Sequence, residues 1–252
     1  MFMYIDCSNA KDNGQLGILA SNDGTSIFVE EYTPGAGESI ELKEITASGN
    51  GGKGIAIEGG SDISVNSAVV NGNALAGISI GIADKIDLKN VKAEGNYRGI
   101  VIDNSHEINL KEIDANANGD SGIFIYGSQN IQLKEIRGSG NIEYGIWIET
   151  SDGISVININ TVVTGNDFSG IFLGDSKNID LKNIMANGNG DAGIKIGGAS
   201  NMENMENIEA NNNRFGILMV DVGSYGYGRD FEMSWKRRIS LDGNNDKMDS
   251  NF

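Results

Sequence analysis

Phe124, Trp147 and Phe172 follow one another at intervals of 23 and 25 residues, each inside the same short apolar phrase. Tyr126, Tyr144, Phe168, Asp103 and Glu149 stand at related offsets around them. Aromatic faces beside carboxylates suit pyranose rings, whose axial C–H faces stack while their hydroxyls bond the acids. The same side chains, if left exposed, suit a contact with another protein chain, or a structural ladder covered by a loop. The candidate ligand-binding residues are therefore Phe124, Trp147, Phe172, Tyr126, Tyr144, Asp103 and Glu149.

Residue sets that would support catalysis are sparse. A glycosidase needs two carboxylates on one face, and Asp103 and Glu149 fall two repeats apart, at about 10 Å if repeats stack as strands. Lyase or epimerase chemistry on a polyuronate needs a cation to neutralise the sugar carboxylate, together with a base and an acid. His106 is the only histidine and Cys7 the only cysteine, so a multi-histidine metal site and an intrachain disulfide are both out of reach. Asp242-Gly243-Asn244-Asn245-Asp246 starts like an EF-hand loop, but Lys247 replaces its glycine and the twelfth position is missing, so it reads as an acidic turn. Met202 and Met205 lie in one strand and read as core, not as copper ligands. The expectation is no catalytic residue, no metal ligand and no cofactor, with Ca2+ the one ion worth testing.

The elements that must hold these residues form a repeat. Gly-Ile-x-Ile recurs at Gly54, Gly77, Gly99, Gly122 and Gly145, and continues with small changes at Gly170, Gly193 and Gly216. The steps are 23, 22, 23, 23, 25, 23 and 23 residues. An Ile-x-Leu/Val phrase follows at Ile40, Ile63, Ile86, Ile108, Ile131, Ile154 and Ile179, and then a third apolar pair such as Val91 with Ala93 or Ile113 with Ala115. Each unit closes on a turn at Asn50, Asn73, Asn96, Asn118, Asn141, Asn166, Asn189 and Asn213. Period-2 alternation sends Ile123 and Ile125 to one side and Phe124 to the other. The spacing predicts an all-β parallel β-helix of about ten coils with three short parallel sheets, whose turn asparagines tolerate the left-handed region and bond to one another up the stack. The 25-residue step places two extra residues near 157–162. Residues 1–25 read as an N-terminal cap or irregular first coil, 26–222 as the β-helix and 223–252 as a C-terminal cap or tail. Ile27-Phe28-Val29 reads as one further first-face strand, followed by a bulge at Thr33-Pro34-Gly35-Ala36-Gly37.

Composition agrees. Thirty-six glycines with a single proline fit strands that all carry ladder hydrogen bonds, joined by tight turns. A formal net charge of −16 makes nucleic acid a poor partner. It also repels anionic membranes, and polyuronates unless a divalent cation bridges them. No apolar run approaches the ~18 residues of a membrane span. Met1-Phe2-Met3-Tyr4-Ile5 meets Asp6 at once and does not read as a signal peptide.

The composite phrase G-I-x-I…N-I-x-L-x-x-I-x-A-x-G-N resembles the right-handed parallel β-helix repeat of the pectate-lyase-like superfamily, over roughly residues 26–220. That superfamily includes polysaccharide lyases, mannuronan epimerases, polygalacturonases, phage tail spikes and bacterial adhesins. Mannuronan epimerases carry Tyr-Gly-x-Asp-Pro-His in this strand position. Tyr144-Gly145-Ile146 matches its start, while Trp147, Ile148 and Glu149 stand where Asp, Pro and His belong. The polygalacturonase signatures are absent. The resemblance implies a carbohydrate-associated solenoid that binds a polysaccharide, or another protein chain, through its aromatic stripe. It places the chain outside the cell or on a cell or virion surface, with self-association through solenoid ends or the aromatic face as an option. The alternatives are an adhesin or tail-spike rod, and a polysaccharide lyase or uronate epimerase.

Overall fold

The computed structural model describes residues 2–6, 9–11, 18–20, 39–220, 239–244 and 246–251, with side chains over 39–156, 162–220 and 241–244. Within these the chain is all-β and winds through about eight complete turns of a right-handed parallel β-helix. Short strands such as Ile123–Tyr126 and Ile146–Glu149 build a first face of ten strands. Longer ones such as His106–Asp114 and Gln129–Arg137 build a second face of eleven.

Two sheets replace the expected three. The second and third apolar segments of each coil run as one long strand, bent at a residue with positive φ. Those residues include Glu44, Ser67, Asn90, Glu112, Glu135, Asn183 and Asn207, with φ between 52 and 60° in a set such as Glu44 at 53°, Ser67 at 60° and Glu135 at 57°. The bend rotates the strand by one residue, so Leu42 and Ile45, three apart, both point inward and are at most 1% exposed. Backbone pairing continues through it, which keeps the ladder whole: Leu110 pairs with Leu133 before the bend and Ile113 with Ile136 after it.

Inside, isoleucines stack on isoleucines. Ile55, Ile78, Ile100, Ile123, Ile146, Ile171, Ile194 and Ile217 form one column in strand register, each fully buried. Ile40, Ile63, Ile86, Ile108, Ile131, Ile154 and Ile179 form another. Burying one such side chain is worth about 2 kcal/mol, and each coil completes its neighbour's core, so stability belongs to the stack. Met205 is buried at 3% and Met202 packs partly buried against the core, as their strand position implies.

The turn asparagines are all buried, between 1 and 4% exposed. From Asn50 to Asn213 each donates its Nδ2 to the next Oδ1, at 2.8 Å for Asn50–Asn73, 3.0 Å for Asn118–Asn141 and 3.0 Å for Asn189–Asn213. Each Oδ1 also accepts a backbone N–H from the preceding asparagine, as in Asn118 N to Asn141 Oδ1 at 2.9 Å. The left-handed residue is not the asparagine itself but the one before it: Gly49, Gly72, Gly95, Ala117, Gly140, Gly165, Gly188 and Asn212. The amide is committed to the ladder, and the residue before it makes the turn. A second ladder, of serines, runs at the opposite end of the first face. Ser105, Ser128, Ser151 and Ser176 each accept a backbone N–H from the coil before and donate to the carbonyl two residues back, as in Ser105 to Asp103 at 2.8 Å.

The glycines of the Gly-Ile-x-Ile phrase serve a different need. Their φ is ordinary, but a Cβ on Gly122 would lie 2.5 Å from the Ala115 carbonyl and 2.7 Å from that of Gly145. Two backbones pass so closely at this corner that no side chain fits.

At the 25-residue step the register shifts between Ile157 and Thr161, where the two extra residues are absorbed. At the N-terminal end Phe2–Asp6 pairs with Ser39–Lys43, Asn9–Lys11 with Thr46–Ser48 and Ile18–Ala20 with Ile55–Ile57. The proposed strand Ile27–Val29, the Thr33–Gly37 bulge and Cys7 lie outside the described residues. At the other end Asn213 donates its backbone N–H to Asn244 Oδ1 at 2.7 Å, so the Asp242–Asn244 turn carries the ladder one step further. Ile239–Ser240 and Asp246–Asn251 extend the two sheets.

Two outcomes follow for denaturant unfolding. Asn118→Ala strands the backbone and side-chain donors of Asn96 and should cost about 2–3 kcal/mol. Gly122→Ala should cost more than 3 kcal/mol, because backbone rather than a flexible side chain must move, whereas Ala117→Gly should stabilise by about 1 kcal/mol by relieving a left-handed alanine.

Candidate functional site

The buried isoleucines fix the first-face strands so firmly that the residues between them have one direction left, outward. Val101, Phe124, Trp147, Phe172 and Lys195 therefore form a single outward column, in strand register. Asp103, Tyr126, Glu149 and Gly174 form the next, so Tyr126 lies between Asp103 and Glu149. Toward the N-terminal end the first column shrinks to Ala56 and Ser79, and toward the C-terminal end it becomes Leu218; all three are nearly inaccessible, at 4, 5 and 7%. The half-buried aromatic stretch sits between these ends.

The rings meet edge to face instead of stacking flat. Phe124 and Trp147 lie 4.8 Å apart at 70°, and Trp147 and Phe172 lie 6.1 Å apart at 59°. Tilted contacts of this kind suit the ring quadrupole. Tyr144, from the turn before the strand, folds over the stripe. Its ring is 5.2 Å from Trp147, 5.2 Å from Phe172 in a stacked pose and 5.8 Å from Phe168. Tyr126 and Phe168 remain accessible, at 42 and 47%. Trp147 Nε1 is buried and, among the described residues, is the one such side-chain polar atom without a hydrogen-bond partner.

Charge around the rings is arranged by residues that the stripe alone did not reveal. Arg98 lays its guanidinium 4.5 Å from the Phe124 ring centre and 5.8 Å from that of Trp147. Asp120, only 4% exposed, holds it there, accepting from Nη2 at 2.9 Å and from Nε at 3.0 Å. Ser121 Oγ donates to the other oxygen of Asp120 at 2.8 Å. Lys195, in the stripe column, is paired with Asp191 at 3.0 Å. Burial raises the Asp103 carboxyl above its ordinary range against the pull of Lys53 and Arg98. Burial, aided by Asp120, does the same to Glu143. The Tyr144 phenol is raised by burial and then by Glu143, Asp191, Glu149 and Asp120.

The structure thus brings Phe124, Trp147, Phe172 and Tyr144 into direct contact and sets Tyr126, Asp103 and Glu149 along the adjoining column. Arg98, Asp120, Glu143 and Asp191 went unnoticed in the repeat. They occupy the two positions before the conserved-spacing glycine, where the columns read Tyr97, Asp120, Glu143, Phe168, Asp191 and Arg98, Ser121, Tyr144, Ser169, Ala192. A columnwise reading of those turn positions would have found them. Among the described residues no group of three or more His, Cys, Asp or Glu is placed to hold a metal ion, and no helix is long and apolar enough to cross a membrane.

A family model described as "Right handed beta helix region" matches residues 32–162 and 121–231. Solved structures give the same fold. A double mutant of the periplasmic alginate epimerase AlgG superposes with a TM-score of 0.56 at 16% identity, covering 85% of this chain and 66% of that one. The A-module of the Azotobacter vinelandii mannuronan C-5 epimerase AlgE4 superposes with a TM-score of 0.56 at 12% identity, covering 96% of this chain and 78% of that one. This chain therefore spans just under two thirds of the AlgG structure, and at these identities what is shared is the fold. No match was found among curated proteins.

The raised Asp103 carboxyl gives a pH test. Its native state binds a proton more readily than the unfolded chain, so its charge costs stability above the folded-state pKa, and that cost disappears as pH falls through it. Asp103→Asn should melt higher than the parent at pH 7, and the difference should vanish at a pH below the ordinary carboxylate range, as read by calorimetry.

Proposed function

The chain belongs to the right-handed β-helix family, and we propose that within it this protein is a carbohydrate-associated solenoid whose first face binds a polysaccharide at the aromatic stripe. The observation that carries this reading is the ring cluster of Tyr144, Trp147, Phe172 and Phe168 beside the exposed Tyr126. Such a cluster offers apolar faces to sugar C–H groups, and carboxylates of the adjoining column accept from hydroxyls. The similar solved structures are epimerases of alginate or mannuronan, which supports an extended glycan as the occupant of this face. Binding without turnover is preferred, because Trp147, Ile148 and Glu149 occupy the strand positions where the epimerase motif carries Asp, Pro and His. This reading also puts the chain outside the cell or at a cell or virion surface, where such polymers are met.

One observation favours a second reading, a protein partner. Leu75, Tyr97, Ile142 and Phe168 are 47–54% exposed along the turn edge next to the stripe, and apolar side chains grouped in this way mark contact surfaces. A rod that packs laterally against another chain would use the same edge.

A glycan panel, probed with and without Ca2+, tests the first reading. Tyr126 and Phe168 are the rings to remove, because Trp147 contacts three other rings and its loss would disturb the fold. Tyr126→Ala and Phe168→Ala should each weaken binding about tenfold or more, equivalent to ~1.4 kcal/mol, with little change in melting temperature. Unaltered affinity in both variants, or no glycan bound under either condition, would sink the glycan reading and leave the protein partner.

A further inference from the structure

We propose that the polymer accepted by the first face is an amino glycan, one whose sugars carry free ammonium groups that sit among the carboxylates around Tyr126 and Tyr144. This rests on the glycan reading above and adds the charge of the ligand.

The cations beside the stripe, Arg98, Lys195 and Lys53, each already face an acid. Arg98 is closed by two hydrogen bonds onto the buried Asp120 and covered on its other side by the Phe124 ring. Lys195 is closed by Asp191. Lys53, at the N-terminal rim, lies 3.9 Å from Glu58. A carboxylated sugar that took Arg98 or Lys195 as its counter-charge would leave Asp120 or Asp191 unpaired in a partly desolvated place, which is costly.

The acids are in the opposite condition. Among the described residues, Asp103, Glu143 and Glu149 have no salt-bridge partner, although all three are half-buried. Asp103 and Glu149 stand one strand to either side of Tyr126. Glu143 directly precedes Tyr144, whose hydroxyl also feels Asp191, Glu149 and Asp120. Partly dehydrated carboxylates that lack a paired cation are relieved more by an ammonium group than by a neutral hydroxyl, and an anion only adds repulsion.

The rings point the same way. Arg98 shows that the faces of Phe124 and Trp147 take a cation at 4.5 and 5.8 Å. Phe168 and Tyr126, the accessible rings, offer further faces to an ammonium group. A sugar that stacks its C–H face and carries an ammonium substituent adds a counter-charge for the acids to the ring and hydroxyl contacts of a neutral glycan, whereas a polyuronate brings a like charge. The net charge of −16 gives a polycation a long-range attraction of the same sign.

The test uses the full chain and three oligosaccharides of equal length and at equal ionic strength: β-1,4-linked glucosamine, its fully N-acetylated form, and galacturonate. Titration calorimetry should give glucosamine an affinity about tenfold or more above the N-acetylated oligomer, with galacturonate weakest. Glu149→Gln and Glu143→Gln should bring the ratio of the first two affinities close to one. Equal binding of the glucosamine and N-acetylated oligomers would overturn the ammonium inference while leaving the glycan reading standing, as would tightest binding of galacturonate. Glucosamine binding that survives Tyr126→Ala and Phe168→Ala unchanged would assign the attraction to the acidic surface at large and overturn it too. No binding of any of the three would remove this inference, and the panel of the previous section then decides the reading beneath it.

Discussion

The buried row of asparagine side chains is the constraint on which the rest of this molecule depends. At that corner the chain must reverse inside the protein, and its backbone donors have no water to bond. Each asparagine answers for its neighbour, accepting the N–H and the amide of the coil before while donating to the coil after. A unit of this kind cannot be satisfied alone, so the turn forces a stack and the stack fixes the rise per coil. The close backbone passage at Gly122 and its equivalents is the geometric side of the same constraint. Once the corner is set, the isoleucine columns and the serine ladder have only one register available.

That rigidity is what gives the outer face its chemistry. Fully buried isoleucines on both sides of Phe124 and Trp147, and Ile171 with Leu173 around Phe172, leave these rings no freedom to turn inward, and the strand spacing keeps successive rings close enough to touch. Because ring contacts at that spacing favour tilted poses, the stripe forms an interlocked, half-buried cluster rather than a row of open plates. Tyr144 closes over it from the turn. Accessible area therefore shifts from the centre of the stripe to Tyr126 and Phe168 at its sides. Electrostatics follows the same division: turn residues supply the ion pairs of Arg98 and Lys195, and strand residues supply Asp103 and Glu149.

Much of this was legible without coordinates, because a repeat writes three-dimensional proximity into sequence spacing. Residues one repeat apart are strand neighbours, so the pairing of Phe124 with Trp147 and of Trp147 with Phe172 could be read directly, as could the bonded asparagine ladder and the two-residue surplus before Val162. Failures occurred where the repeat carries no information on backbone torsion. The left-handed turn residue was assigned to the asparagine instead of the residue before it. A third sheet was expected where a left-handed residue such as Glu112 merely bends one strand.

The sequence by itself determined the fold, the inward and outward sides of each strand and the identity of the outward columns, since these depend on period and alternation alone. Only the tertiary structure decided what the outward side chains do to one another. That Arg98 would lie over Phe124 while bound to Asp120, that Tyr144 would cover Trp147, and that Asp103 and Glu143 would be desolvated without an ion-pair partner all depend on side-chain torsions and on contacts between turn and strand. Those are set by packing between coils, and spacing along the chain does not encode them.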